Sequence, residues 1–337
     1  MRNIYDLTIK ELEDYFISIN EKKFRAVQVY EALYKRRIKS FDDMTNISKE
    51  VREKLKQDFS FYKIKMLIKQ QGKNVNKYLF ELEDGNKIES VLMFHDYGTS
   101  ICVSSQVGCN MTCAFCESGR LKKVRNLLAY EIVQQILQIE EDINKRITHV
   151  VVMGIGEPFD NYDNVLRFVK IINCGKGIDI GSRHITISTC GVIPGIKKFM
   201  NEEGQVNLAI SLHASNNALR SRIMPINKAY PLNELMETIK EYINKTNRRV
   251  TFEYIMLDNV NDSEENAKEL AILLKGINCY VNLIPYNETE NIEFKRTKEW
   301  KIMKFYDILK KNKINVTIRK EFGGSVDAAC GQLRANN

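Results

Sequence analysis

From about residue 129 onward, stretches of helical period alternate with short β-rich runs. The strand candidates are 148–154, 184–188, 207–212, 250–256, 280–285 and 315–319, and the helical stretches are 129–143, 161–172, 232–244, 264–275 and 300–313. Parallel neighbours need a crossover of a dozen or more residues, usually a helix, so this alternation dictates βα units and a mostly parallel sheet. A barrel or partial barrel follows, with its chemistry at the C-terminal strand ends. A chain of 337 residues has room for such a core, as one α/β barrel or as two domains. Ahead of the barrel, residues 6–59 read as amphipathic helices. Residues 62–95 alternate with period two around Asp84-Gly85, which predicts a hairpin. The expected organisation is helical over 1–60, a β extension over 61–98 and the barrel over 99–337. No internal repeat or Pro-rich linker interrupts it.

Three cysteines, Cys109, Cys113 and Cys116, stand at the end of the apolar strand expected at 100–105, with Cys-x3-Cys-x2-Cys spacing. Thiolates this close converge on one soft metal centre. A closed structural zinc site wants four protein ligands, and iron–sulfur cubanes usually take four cysteines. Three leave one iron open for an exchangeable ligand. A zinc knuckle completed by His95 or Cys102 is the alternative. Phe115, between the second and third cysteines, is placed to shield a cluster from water.

Gly154-Ile155-Gly156-Glu157-Pro158 ends another apolar strand. Its glycines permit close backbone approach to a ligand, and Glu157 suits an ammonium group. Ser188, Ser211, His213 and Asn287 fall at neighbouring strand ends and suit ribose hydroxyls and a carboxylate. Each alone also fits a helix cap or a satisfied loop. Cys174, Cys190 and Cys279 read as packing residues.

The net charge of +8 favours a polyanionic partner such as RNA. Lys22, Lys23, Arg25, Lys35, Arg36, Arg37 and Lys39 concentrate it near the N-terminal helices, as an RNA grip or as a solvated face. No apolar run approaches the roughly 18–20 residues of a membrane span, and no signal-peptide pattern opens the chain. Eight cysteines, three of them in one loop, fit a reducing compartment. The expected location is the cytoplasm.

Taken together, these pieces resemble the RlmN/Cfr family of radical-SAM RNA adenosine methyltransferases, from about residue 5 to Leu333. The motifs that carry the resemblance are Cys102-Val-Ser-Ser-Gln-Val-Gly-Cys109, the triad, Met153-Gly-Ile-Gly-Glu-Pro158, Ile185-Thr-Ile-Ser188, Ser211-Leu-His213, Met224-Pro-Ile-Asn227, Asn282-Leu-Ile-Pro-Tyr-Asn287 and Asp327-Ala-Ala-Cys330-Gly-Gln-Leu333. The resemblance implies a radical-SAM partial (β/α)6 barrel with an N-terminal helical RNA-binding domain and a β-hairpin extension. One [4Fe–4S] cluster on Cys109, Cys113 and Cys116 would hold S-adenosylmethionine (SAM). Gly156, Glu157, Ser188, Ser211, Leu212, His213 and Asn287 would surround that cofactor.

Cys330 would carry a methyl group as S-methylcysteine, Cys102 would resolve the adduct through a transient disulfide, and Glu89 would be the proton acceptor. Such an apparatus suits an adenine ring carbon, which is electron-poor and cannot simply displace SAM's methyl. Two SAM molecules would be used per methyl transferred. The implied substrates are 23S rRNA, in protein-poor or precursor form, and tRNA; the implied electron donor is of the flavodoxin kind; the implied state is a monomer free of membranes. Pro158, Pro285 and Ala209-Ile-Ser-Leu-His213 look like the carbon 2 branch. The carbon 8 branch, which confers ribosomal antibiotic resistance, stays open beside it, as do a non-catalytic metal-stapled RNA-binding protein and a redox protein using Cys102 and Cys330 alone. The chain departs from the family's usual small residue after the third cysteine at Glu117-Ser118-Gly119-Arg120.

Overall fold

The structure is a computed structural model that describes residues 1–319. Cys330 and the rest of the 327–333 motif lie outside the described residues.

One ten-stranded sheet organises the chain, and its spatial order follows the sequence. The strands are β1 (Lys65–Gln71), β2 (Val75–Glu81), β3 (Lys87–His95), β4 (Gly98–Val103), β5 (His149–Val152), β6 (Ile185–Thr189), β7 (Asn207–Ser211), β8 (Val250–Met256), β9 (Cys279–Pro285) and β10 (Val316–Ile318). Strands β1 to β4 are antiparallel neighbours. From β4 to β10 every pairing is parallel.

The crossovers are helices, as parallel pairing demands. After α1 (Ile9–Ser18), α2 (Phe24–Tyr34) and α3 (Lys49–Asp58) come α4 (Ala129–Ile143), α5 (Tyr162–Asn173), α6 (Ile193–Phe199), α7 (Leu232–Thr246), α8 (Glu264–Leu273) and α9 (Glu299–Lys311). Six βα units result, so the expected partial (β/α)6 barrel is present, closed off by β10. Helices α4 and α7 stop where Asn144 and Asn247 turn left-handed at φ +49° and +53°, a conformation asparagine tolerates. Helix α6 was not legible in the sequence. It is seven residues long and starts on Ile193-Pro194-Gly195, which masks its period.

The hairpin at Asp84-Gly85 forms as expected. Gly85 takes φ +78°, and Asp84 Oδ1 accepts a hydrogen bond from Asn86 N at 3.1 Å. Pairing of β3 with both neighbours sets Lys77, Val91 and Cys102 side by side across three strands. Glu89 is two residues from Val91 and therefore on the same face of β3.

The N-terminal helices share one continuous apolar core with the barrel. Helix α1 opens with a capping box, Thr8 with Glu11. Glu11 also receives Arg167 of α5 on both carboxylate oxygens, at 2.6 and 2.5 Å. The basic run near α2 is largely consumed internally: Lys23 pairs with Glu13, Arg25 with Glu21, Lys35 with Glu31 and Arg37 with Glu140. Among the described residues no helix is long and apolar enough to cross a membrane.

Candidate active site

A cavity of ≈ 340 Å³ opens at the C-terminal ends of the parallel strands. Cys102, Cys109, Cys113 and Cys116 all line it. His95 does not; it stacks on Tyr97 at the opposite end of β3 and β4, so it cannot complete a zinc knuckle with the triad.

The cysteine loop is built by backbone contacts. Gly108 sits at φ +80°, and a Cβ there would stand 2.2 Å from the carbonyl oxygen of Lys122. Cys109 N donates to Leu121 O at 2.8 Å, Ala114 N to Ile223 O at 2.9 Å, and Cys116 N to Cys113 O at 3.1 Å. All three thiols are unbridged. Burial raises each of them, Cys109 to about 11, and neighbouring cysteines raise Cys109 and Cys113 further. Three thiolates cannot coexist there without a positive centre to invert that balance.

The Gly154–Pro158 turn packs closely against the Val103–Gln106 segment, and Gly154, Gly156 and Glu157 also line the cavity. A Cβ on Gly156, at φ +111°, would stand 2.6 Å from Gln106 Cβ. Gln106 Oε1 in turn accepts Glu157 N at 2.9 Å. The buried Glu157 carboxylate accepts Phe159 N at 2.9 Å and Cys190 N at 2.8 Å. Burial pushes its carboxyl up, and these hydrogen bonds oppose the rise. Its place on the cavity wall suits an incoming ammonium group.

Gly156, Glu157, Ser188, Ser211, His213 and Asn287 all line the cavity. Leu212 is not among the lining residues: its side chain is fully buried in the core, and its carbonyl accepts from Arg220 Nε at 3.2 Å. His213 takes φ +57° and accepts Ile255 N on Nδ1 at 3.0 Å, which leaves Nε2 as the N–H donor. Burial, then the Arg220 charge, pushes its pKa down to about 3, so the ring is neutral. Phe115 meets it edge-on at 4.9 Å.

Two contributors were not singled out from the sequence. Arg220 is 0% exposed, a buried cation behind the cavity wall. It donates to Leu212 O at 3.2 Å, Asn227 Oδ1 at 3.0 Å, Cys190 O at 2.6 Å and Ser211 O at 3.3 Å. Its guanidinium thus ties the segments after β6 and β7 together. Cys190, read as a packing residue, lines the cavity and lends both its N–H and its carbonyl to this frame. The Asn227 of the Met224–Asn227 motif was the available signal, since a buried asparagine needs a partner.

Glu89 is 2% exposed and pairs with Lys77, whose Nζ lies 3.4 Å away. Lys77 lines the cavity. An exposed hairpin carboxylate is thereby excluded for Glu89. Burial lifts the Cys102 thiol to about 11.

Residues 2–60 match the family model described as the ribosomal RNA large subunit methyltransferase N-terminal domain, and residues 103–271 match the radical SAM superfamily. A Spiroplasma citri protein named "Probable dual-specificity RNA methyltransferase RlmN" is 54% identical over 100% of this chain and 98% of its own length. One of the same name from Streptococcus thermophilus is 55% identical over 99% of this chain and 88% of its own. This chain belongs to the RlmN family of radical-SAM RNA methyltransferases. The crystal structure of a radical SAM methyltransferase from Sphaerobacter thermophilus superposes on it with a TM-score of 0.93, at 40% identity, covering 98% of this chain and 99% of that one. Radical SAM membership implies a [4Fe–4S] cluster and SAM, and the three unbridged thiols facing one cavity fit that cluster. In this RlmN-family chain Cys109, Cys113 and Cys116 are the residues that would hold it.

Proposed function

We propose that this chain methylates carbon 2 of an adenosine in 23S rRNA, in protein-poor or precursor form, and of an adenosine in tRNA. The observation that carries the reading is the shared cavity: the cluster cysteines, Cys102 and the Lys77 partner of Glu89 all belong to one wall system. The relatives' names print a dual specificity toward RNA, and the family model over residues 2–60 is described for large-subunit ribosomal RNA; both support the reading.

Cys109, Cys113 and Cys116 would hold the cluster, which with SAM would supply one-electron cleavage and the methyl group, two SAM molecules being used per product. The chain's own residues do the rest. Cys330 would carry the methyl; a hydrogen atom would leave that methyl to the radical that SAM and the cluster would supply, the methylene carbon would bond to the ring carbon, and the adduct's unpaired electron would return to the cluster. Glu89 takes the proton from the ring carbon. The Cys102 thiolate then attacks the sulfur of Cys330; a disulfide forms, the carbon–sulfur bond breaks, and its electron pair stays with the methylene, which takes a proton to become the methyl product. A two-electron thiol reductant restores both cysteines. Glu157 holds the cofactor's ammonium and His213 donates from Nε2. Residues 1–60 bind RNA, 61–98 carry the base and 99–337 form the catalytic barrel. A flavodoxin-type donor, a monomeric state and a cytoplasmic location complete the reading.

Nucleoside mass spectrometry after incubating RNA with the reconstituted enzyme, SAM and reductant tests it. The expected product is 2-methyladenosine; 8-methyladenosine would transfer the chain to the carbon 8 reaction. Cys330→Ala should abolish methylation with the absorbance near 400 nm intact. Methylation by that variant would overturn the covalent carrier. Colourless, iron-free protein would return the chain to a metal-stapled RNA binder.

A further inference from the structure

Beside Cys116 the cavity wall holds two polar groups that the reaction above does not use. Glu117 is 2% exposed, and neither carboxylate oxygen meets a hydrogen-bond donor among the described residues. Arg120 Nε stands 3.8 Å from Oε2, beyond hydrogen-bond length, and its side chain is 53% exposed. Tyr286 is 3% exposed, and its hydroxyl is likewise bare, although Thr289 neighbours it outside hydrogen-bond geometry. Both side chains line the same ≈ 340 Å³ cavity, and the Glu117 charge is felt at the Tyr286 hydroxyl. Buried polar groups are almost always paired in folded proteins. Two bare ones facing one cavity mark the place of a ligand.

The chemistry of the pair selects the ligand. A carboxylate accepts only, so it wants an N–H or O–H donor, whereas a phenol hydroxyl can donate. The wall around them is apolar, with Phe115, Ile255 and Ile284. A flat ring with an amino group beside a ring nitrogen fits all three demands. We propose that Glu117 and Tyr286 form a subsite for the amino edge of an adenine ring: the carboxylate accepts from the exocyclic amine, and the hydroxyl donates to the adjacent ring nitrogen. A hypoxanthine ring puts a carbonyl oxygen against the carboxylate and is rejected. The adenine belongs either to the cofactor or to the target nucleotide. This subsite rests on the radical-SAM methyltransferase reading above and assigns the unusual Glu117 within it.

The test is equilibrium binding to anaerobically prepared, cluster-loaded protein. One arm compares S-adenosylhomocysteine with S-inosylhomocysteine in the absence of RNA. The other compares RNA oligonucleotides carrying adenosine or inosine at the target position, without cofactor. In one arm the unaltered protein should prefer adenine by about tenfold to a hundredfold, the range of a bidentate base contact. Glu117→Gln offers an amide that can turn either face, so the preference should shrink to within about threefold. Tyr286→Phe lies far in sequence from the cysteine loop, and it should cut the preference several-fold even if Glu117→Gln disturbs the cluster. The arm that responds identifies the source of the adenine. Unchanged base preference in both arms for Tyr286→Phe, and for Glu117→Gln with iron content retained, overturns the subsite while leaving the methyltransferase reading intact. Failure to hold a cluster or to bind S-adenosylhomocysteine at all in the unaltered protein would instead overturn that reading.

Discussion

Lys77 Nζ stands 3.4 Å from Glu89 Oε2, with each side chain only 1% exposed. A buried ion pair adds little net stability, but removing one partner strands the other charge in a low-dielectric wall. Lys77→Met is therefore expected to cost about 3–5 kcal/mol, and the Lys77→Met/Glu89→Leu pair much less. Urea unfolding of the two singles and the double closes the cycle. Additive losses would show that the two charges do not depend on each other.

Among the described residues Arg220 has no carboxylate partner, and it gives its N–H groups to Leu212, Asn227, Cys190 and Ser211. Arg220→Lys keeps the charge and loses the planar fork. Expected are a loss of about 2–3 kcal/mol in stability, the scale of hydrogen bonds to charged groups, and weaker S-adenosylhomocysteine binding. Calorimetry that finds wild-type affinity in the lysine variant would reduce Arg220 to a core cation without a hold on the site.

The Cys102 thiol is lifted by burial to about 11, with Arg319 and Lys77 pulling the other way and Glu89 adding to the rise. Only the thiolate resolves the adduct, so resolution should quicken about tenfold per pH unit below that value. Quenched-flow gels following decay of the RNA–protein crosslink between pH 7 and 9 measure this. Cys102→Ala should accumulate the crosslink. A pH-independent decay would remove Cys102 from the resolving step.

At the docking seam, burial alone would raise the Glu11 carboxyl, but Arg167, Thr8 and Arg2 outweigh it and hold its pKa at about 2. A carboxylate depressed in the folded state adds stability above its unfolded value near 4.5, and that stability fades as pH falls from there toward 2. Hydrogen exchange in α1 should accelerate across that window, and Arg167→Met should produce the same acceleration at pH 7. Equal protection of α1 at pH 6 and pH 3 would show that the seam does not depend on this pair.

Much of the barrel was legible because each βα unit carries its own periodicity, and α4 begins and ends where the pattern predicts. The cavity-lining set was legible because its members follow apolar strands directly. What escaped were relations between distant segments. Nothing near Arg220 in sequence reveals that it reaches Cys190 O, thirty residues away. Gly156 lines the cavity, and it is also held by Gln106, on another loop, which its own motif does not announce. Glu89 sits in a hairpin that alternates like an exposed one; only the pairing of β3 with β2 and β4 buries it against Lys77. The Lys- and Arg-rich helices promised a free positive surface, and folding spends much of it on neighbouring acids.

The hairpin extension and the barrel share one unbroken hydrogen-bonded ladder from β1 to β10. No joint along that ladder lets the Glu89 strand swing out to meet a bulky polymer. For the proposed reaction, the distance must be closed from the nucleic-acid side: the adenosine has to leave its stack and descend into the protein, so unpaired or loosely stacked positions are the natural targets and firmly helical RNA is a poor one.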